Sequence, residues 1–194
     1  MVSRQRSSEL RRFLRRLPLA VLAAAALWLA VRRPYNEVLC WVTQTVARQM
    51  EYPRAAIVQV DGDHAILGRT DFRSSSGQLR ISLVQINFNL IPLLALSLAL
   101  PGWHRRGGWQ QLLSALALLA LSHILALFLQ LKCLYAFSLG EWSATNYGVL
   151  ARNVYGGLRY FFDIPVTFCL PLLLWVGTFP DRVLALAALE DRPA

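Results

Sequence analysis

The sequence predicts a membrane all-α bundle of four transmembrane helices, with a small extracytoplasmic β-meander of about three strands inserted between the first and second helices. Hydrophobic residues make up 56% of the 194 residues, and the mean hydropathy is +0.41. An average soluble domain is less apolar than this. Four apolar runs of near-spanning length and one stretch of alternating polar and apolar residues account for the two parts of the prediction.

The formal charge of +9 comes from arginines that lie beside the apolar runs. Six of them fall in a basic leader, residues 1–16, and two more separate later runs. They are Arg4, Arg6, Arg11, Arg12, Arg15 and Arg16, followed by Arg105 and Arg106. Cytoplasmic segments of bacterial membrane proteins carry this bias. The pattern therefore predicts a multi-pass protein of the bacterial inner membrane with a cytoplasmic N-terminus, and it argues against a nucleic-acid partner.

The first span is predicted at residues 17–31, "LPLAVLAAAALWLAV". Its 15 residues reach only about 22 Å as a helix, short of the ~30 Å hydrocarbon core. Phe13 and Leu14 must therefore contribute, while Arg15 and Arg16 extend toward the headgroups. A basic segment before a small-residue apolar run also fits a cleavable signal peptide, so the sequence leaves open whether this span is ever cleaved.

An amphipathic helix is predicted at the start of the extracytoplasmic segment, which covers residues 32–82. Apolar residues recur at helical spacing from residue 35 to residue 50, after Pro34. Such a helix lies along the outer leaflet or continues the first span.

A β-hairpin is predicted next, because Asp61-Gly62 separates the β-favouring runs 57–60 and 65–67. After the turn "RSSSG" at 73–77, a third strand has an apolar residue at every second position. These residues are Leu79, Ile81 and Leu83. Three short strands bury little apolar area, so we expect the sheet to rest on the outer membrane face or on a partner. Its edges offer either a site for strand addition by an extended peptide or simply a lid over the bundle.

The second span is predicted at residues 83–101, where the last strand runs into a helix. Starting at Leu83 gives a helix of about 27 Å, which is long enough to cross. Asn87 and Asn89 are then expected near the outer interface or facing the bundle, because an unpaired amide toward lipid is costly. Pro101-Gly102 ends this span, and residues 102–108 form a cytoplasmic turn.

The third span is predicted at residues 109–135 and the fourth at 159–179, where Pro165 and Pro171 suggest a kink. Residues 136–158 between them are predicted as an extracytoplasmic loop. In that loop, "NVYGGLRY" indicates a turn before the fourth span. An even number of spans returns the chain to the cytoplasm, so residues 180–194 form a cytoplasmic tail.

Ionisable residues in or near the spans are the candidate functional side chains. His123 falls near the middle of the third span, and Asp163 follows Arg159 by one helical turn, with Arg152 nearby in the outer loop. Intramembrane ionisable groups often mark function. Here they are expected to bind a partner or to be structural, as a hydrogen-bonded neutral imidazole and an interfacial ion pair. A proton or solute conductor using His123 and Asp163 is an alternative.

The three cysteines show no metal or redox spacing, so the sequence predicts neither a metal site nor a cofactor. Cys133 and His123 lie ten residues apart on one predicted helix, about 15 Å along its axis, and cannot form a catalytic dyad. We therefore expect no enzymatic activity. A small cysteine enzyme of transpeptidase or protease type, using Cys133 with Arg152 or Arg159, is the alternative.

The order of these features resembles the small membrane proteins associated with exosortase H. The resemblance runs from "RRFLRRLPLAVLAAAALWLAV" through the strand leading into "INFNLIPLLALSLALPGW" to "FFDIPVTFCLPLLLWVGTF". It implies a non-catalytic accessory of a system that sorts proteins by their C-terminal anchors, with a sorting enzyme or its client as partner. The Trp-Cys-x-Gly-x-Arg type of motif found in exosortases themselves is absent from "LKCLYAF" around Cys133.

Overall fold

The computed structural model describes residues 2–71, 78–103 and 107–187, with side chains described from residue 9 onward. In these ranges three helices are long and apolar enough to cross a membrane: Glu9–Met50, Gly108–Phe137 and Val149–Thr178. A shorter apolar helical stretch covers Leu83–Ala99. A single three-stranded antiparallel sheet accompanies them in the same ranges. The sequence prediction of membrane-length apolar helices with a small three-stranded sheet is confirmed.

The secondary structure elements follow one another with short connections. In chain order they are α1 (Val2–Met50), β1 (Ala56–Asp61), β2 (His64–Arg69), β3 (Leu79–Ser82), α2 (Leu83–Asn87), α3 (Leu90–Ala99), α4 (Gly108–Phe137), α5 (Glu141–Asn146), α6 (Val149–Phe161), a π-helical turn (Phe162–Val166), α7 (Thr167–Thr178) and α8 (Pro180–Ala187). The turn predicted at 73–77, residues 104–106 of the predicted cytoplasmic turn and residues 188–194 of the predicted tail lie outside the described residues.

The chain divides into two compact units. The first, here called the helical unit, comprises Met1–Ala30, Asn89–Leu119 and Phe168–Ala194. The second, the sheet unit, comprises Val31–Phe88 and Ala120–Thr167.

The helical unit has its own apolar core. Phe13 stacks on Trp175 with 6.0 Å between ring centroids, and Trp103 meets Trp109 edge to face at 4.5 Å. Small residues allow close packing of the helices in this core. The buried small residues are Ala20, Ala24, Ala95 and Ala99.

The sheet unit is built around the β1-β2-β3 meander, in which each strand pairs antiparallel with the next. The predicted hairpin forms, with Asp61 opposite His64 and Gly62 in the left-handed region at φ 62°. That conformation favours glycine because a Cβ would be strained there.

One face of the sheet packs against α1 and α4 of the same chain, rather than resting on a membrane face or a partner as expected. Alternate residues of all three strands join residues of these helices in one apolar cluster. From the sheet these are Ala56, Val58, Ala65, Leu67, Leu79 and Ile81, and from the helices Leu39, Cys40, Ala47, Leu127, Leu131, Leu134 and Tyr135. The helices thus supply the apolar area that three strands lack.

The helix predicted after Pro34 continues the first apolar run, which is one of the two predicted arrangements, because α1 runs without a break from Val2 to Met50. Two other segments differ from the sequence predictions. The stretch predicted as the second span is interrupted at Phe88 and Asn89, between α2 and α3. The predicted loop 136–158 contains α5 and most of α6, and the Gly156-Gly157 pair predicted as a turn lies within α6. Apolar residues at helical spacing around these glycines outweigh their low helix propensity.

Candidate functional site

Four side chains from α4 and from the helix that follows Gly148 meet in the sheet unit. Arg159 Nε lies 3.4 Å from Asp163 Oδ2, as the one-turn spacing predicts. Gln130 Nε2 donates to Asp163 Oδ1 at 2.7 Å, and Arg159 Nη1 donates to Cys133 Sγ at 3.8 Å. The guanidinium therefore lies between a carboxylate and a thiol.

These contacts border a cavity of about 280 Å³. Its polar wall consists of Cys133, Ser138, Arg159 and Tyr160, and its apolar wall of Leu79, Leu134 and Phe137. Gly156 completes the lining, and a Cβ at this position would lie 3.5 Å from the Phe137 ring. The lining of this cavity contains no imidazole or carboxylate that could act as a base toward Cys133.

Asp163 lies in the π-helical turn Phe162–Val166, which also contains Pro165. Proline lacks the N–H that would continue the α-helical ladder. The Thr167 hydroxyl donates to the Phe162 carbonyl at 2.7 Å and so satisfies one carbonyl of this turn. Single π turns inside helices are often found at functional sites, because they shift the side chains that follow them.

The candidates His123 and Asn87 are fully buried and belong to other polar pairs. The Tyr35 hydroxyl lies 2.5 Å from His123 Nδ1, with the two rings edge to face. Asn87 Nδ2 donates to Asn36 Oδ1 at 2.6 Å. Neither pair lines the cavity. Both pairs satisfy buried polar groups where α1 meets its neighbours.

Two of the remaining candidates, Asn89 and Arg152, do not line the cavity either. Asn89 belongs to the helical unit, where it is buried and its carbonyl accepts the Leu93 N–H at 3.4 Å. Arg152 lies one turn before Gly156 on α6, and its buried Nε has no hydrogen-bond partner among the described residues. Asp163 bonds to Gln130, seven residues along α4 from His123, so about 10 Å of helix separates the two groups of the alternative conductor.

Sequence reasoning missed a cluster of charged and aromatic side chains beside the sheet. The Arg69 guanidinium donates to both carboxylate oxygens of Asp71, at 2.9 and 2.7 Å. It also lies 4.4 Å from the Trp142 ring centroid and 5.2 Å from that of Tyr135. With 5% of its side chain exposed, Arg69 is held by cation–π contacts as well as by its ion pair.

A second ion pair, between Lys132 and Glu51, is also largely buried. The Lys132 ammonium lies 5.4 Å from the Phe128 ring centroid and 5.8 Å from that of Tyr135, whose hydroxyl donates to the Gly68 carbonyl. One feature of the sequence sets this residue apart, since Lys132 is the sole lysine among the 20 lysine and arginine residues.

The ionisation of this cluster follows from its contacts. Hydrogen bonding to Arg69 holds the pKa of the Asp71 carboxyl below its ordinary value. Burial, assisted by the Glu51 carboxylate, raises the pKa of Tyr147 to about 12. The Asp71 carboxyl therefore stays ionised and the Tyr147 hydroxyl stays neutral across the neutral pH range.

The Asp71→Asn variant is expected to lose about 1 kcal/mol of stability at pH 7, an amount kept small because 40% of the Asp71 side chain is exposed. The folded-state pKa of Asp71 is depressed, so its contribution is present above the ordinary carboxyl value near pH 4 and disappears as pH falls through the folded value. Unfolding midpoints of wild type and variant should therefore differ at pH 7 and converge as the pH falls below the folded-state pKa of Asp71. The matched control, Asp61→Asn, removes an exposed pair with Arg80 and should have little effect at either pH.

The two edges of the sheet differ in how their backbone groups are satisfied. On β1, Gln44 Oε1 accepts the Val58 N–H and Arg48 Nε donates to the Ala56 carbonyl, both at 2.9 Å. On β3, the Leu83 N–H donates to the Asp63 carbonyl. Hydrogen-bonded and non-hydrogen-bonded residue pairs alternate along an antiparallel ladder, so the N–H and C=O of Arg80 point away from β2. These two groups of Arg80 have no hydrogen-bond partner within residues 2–71, 78–103 and 107–187.

Two features of the sheet unit are thus candidates for a functional site, namely the open edge of β3 and the cavity beside Cys133 and Arg159. Leu79 of β3 also lines that cavity, so the two adjoin. In the described part of the chain, no group of three or more His, Cys, Asp or Glu side chains is placed to hold a metal ion. No protein-family model, curated protein or solved structure matches the chain.

Proposed function

We propose that the chain is a multi-pass protein of the bacterial inner membrane with four spans, both termini in the cytoplasm and the sheet on the extracytoplasmic side. Three membrane-length apolar helices and an arginine-rich leader support this proposal. So do the exposed leucines of α4, since Leu113, Leu118 and Leu121 are each more than half exposed. Lipid contact accounts for such a surface on a helix of this length.

The sheet indicates where the hydrocarbon core ends in this proposal. Its outer face exposes Gln59, Asp61, His64 and Arg80, and open sheet edges are not tolerated in hydrocarbon. The fully buried residues that α4 contributes to the sheet cluster begin at Leu127, and the partly buried Ile124 and Ala126 pack against the same cluster. About 30 Å of helix remains between Gly108 and Leu127, which is sufficient to span. We therefore shorten the third span from 109–135 to about 109–126, so that His123 lies near its outer end instead of its middle.

Within this framework the chain acts as a non-catalytic accessory protein that binds an extended segment of another protein along β3. The contrast between the two edges supports this proposal, because α1 side chains occupy the Val58 N–H and the Ala56 carbonyl of β1, whereas neither outward backbone group of Arg80 has a partner in the described residues. Strand addition satisfies such groups through main-chain hydrogen bonds. In line with the resemblance, the bound segment belongs to an exosortase-type sorting enzyme or to its client.

The Arg80→Pro variant tests strand addition, because proline removes the outward N–H without touching the bonds to β2. We expect partner affinity to fall about tenfold, as loss of one main-chain hydrogen bond implies. Arg80→Ala is the matched control, since it also removes the Asp61 pair but keeps the N–H. The measurement is the processing of proteins with C-terminal sorting signals in a deletion strain complemented with each variant. Equal processing by Arg80→Pro, Arg80→Ala and wild type would exclude this edge as the binding site.

A second candidate function is thiol chemistry at Cys133. It is favoured by the Arg159 guanidinium 3.8 Å from the sulfur, at the wall of a cavity large enough for a side chain. The same complementation assay distinguishes it from the accessory role, since a thiol enzyme loses all processing in Cys133→Ala whereas an accessory protein retains it.

A further inference from the structure

The cavity beside Cys133 and Arg159 adjoins the edge of β3 to which we propose that a strand adds. All of its lining residues belong to the sheet unit. Leu79, the β3 residue among them, packs on the face of the sheet that contacts α1 and α4. The cavity therefore lies on the helix-facing side of this edge.

An antiparallel strand added to β3 would place one of its side chains at this cavity. The backbone groups of Leu79 face β2, because those of Arg80 point outward and the ladder alternates. Leu79 and the residue beside it on the added strand would therefore form a non-hydrogen-bonded pair, with Cα atoms only about 4.5 Å apart. Paired residues point to the same face of a sheet, so the side chain beside Leu79 would point toward the cavity.

The charge in the cavity comes from a guanidinium that is only loosely paired. Among the described residues that line the cavity, Arg159 is the one basic or acidic residue. Its Nε lies 3.4 Å from Asp163 Oδ2, longer than the ~2.7–2.9 Å typical of a charge-assisted hydrogen bond. Its Nη2 has no hydrogen-bond partner in the described residues. The terminal nitrogens are therefore available to a second carboxylate.

The size and walls of the cavity suit one side chain with an apolar stem. Its volume of about 280 Å³ is just below the ~300–1,000 Å³ of small-molecule sites. Leu134 and Phe137 offer an apolar wall for methylene groups, and Arg159 and the Ser138 hydroxyl offer donors for the end of the side chain. Glutamate combines such a stem with an acceptor-only, negatively charged end.

We propose that this cavity is the specificity pocket of the β3 edge and that it receives a glutamate side chain from the added strand. The inference rests on the proposed function, since it requires a strand beside Leu79. Main-chain bonds to Arg80 would hold an extended segment of any sequence, whereas the pocket would select the residue beside Leu79. Arg159 determines the choice, because a guanidinium binds a carboxylate through two parallel hydrogen bonds.

Two synthetic peptides test the inference with the full chain in detergent. Both are short, have blocked ends and alternate threonine with valine, and they differ only in a central glutamate or glutamine. Fluorescence anisotropy of the labelled peptides gives their affinities. We expect wild type to bind the glutamate peptide about tenfold more tightly, because glutamine cannot form the charge-assisted pair with Arg159.

Three variants assign this preference to the pocket. Arg159→Gln should abolish it and leave the affinity for the glutamine peptide unchanged, which also shows that the variant is folded. Asp163→Asn should widen it, because the competing carboxylate is lost while an amide oxygen still accepts the Gln130 hydrogen bond. Arg33→Gln is the matched control, since it removes an exposed arginine paired one turn along its own helix with Glu37, and it should have no effect.

The outcomes separate this inference from the proposed function. Equal binding of the two peptides, with both weakened by Arg80→Pro, would overturn the pocket and support strand addition. A glutamate preference that is insensitive to Arg80→Pro would show an acid site independent of the sheet edge and would contradict both proposals. An unchanged or smaller preference in Asp163→Asn would exclude direct binding of glutamate to Arg159. Failure of either peptide to bind wild type would count against strand addition and the pocket together.

Discussion

Replacing Lys132 with methionine is expected to lower the free energy of unfolding by roughly 3–5 kcal/mol, the usual effect of leaving a buried charge without its partner. The Glu51 side chain is only 9% exposed, and its Oε2 already has no hydrogen-bond partner among the described residues. In the variant, the remaining carboxylate would have no cation in contact with it. Unfolding can be followed in detergent through the labelling of Cys40, which is buried until the sheet unit opens.

The double variant Lys132→Met/Glu51→Leu is the matched control for this prediction. Replacing both members of a buried ion pair with apolar groups is often neutral or stabilising. We therefore expect it to recover most of the lost stability. Equal instability of the single and double variants would mean that methionine packs poorly beside Phe128 and Tyr135, and would contradict the electrostatic explanation.

The Leu67→Ala variant is expected to destabilise the sheet unit by about 2–5 kcal/mol, because it removes a fully buried side chain and leaves a cavity. Leu67 lies in the central strand between Val58 and Leu79 and faces the helices. Earlier labelling of Cys40 on heating is the measurement.

Ile66→Ala provides the comparison within the same strand. Ile66 points to the other face of the sheet and is only half-buried, so its truncation should cost well under half as much. If the two substitutions have equal effects, the sheet does not depend on packing against α1 and α4.

Short-range sequence patterns were sufficient to predict the structural features that depend on residues close together in the chain. Asp61-Gly62 between two β-favouring runs predicted the hairpin, because the turn needs a positive φ that glycine adopts. Alternation predicted β3, apolar length predicted the long helices, and one-turn spacing predicted the Arg159–Asp163 pair. In each case the interaction is set within a few residues.

Features that depend on distant residues could not be predicted in this way. Lys132 and Glu51 are 81 residues apart, and Cys133 and Arg159 are 26 apart, so no periodicity links them. The helix α6 was predicted as part of a loop because Gly156-Gly157 suggested a turn. In the fold, α6 continues through both glycines and Gly156 faces the Phe137 ring, so the helix forms despite their low local propensity.

The hydrogen bonds from Gln44 and Arg48 to the outer edge of β1 limit what the sheet can assemble into. A sheet with two open edges can add strands in both directions and template a filament. A strand that adds to β1 would have to displace both side chains, whereas a strand that adds to β3 would displace none in the described residues. If strand addition occurs as proposed, the expected stoichiometry is one extended segment per chain, and growth of the sheet in the other direction is disfavoured.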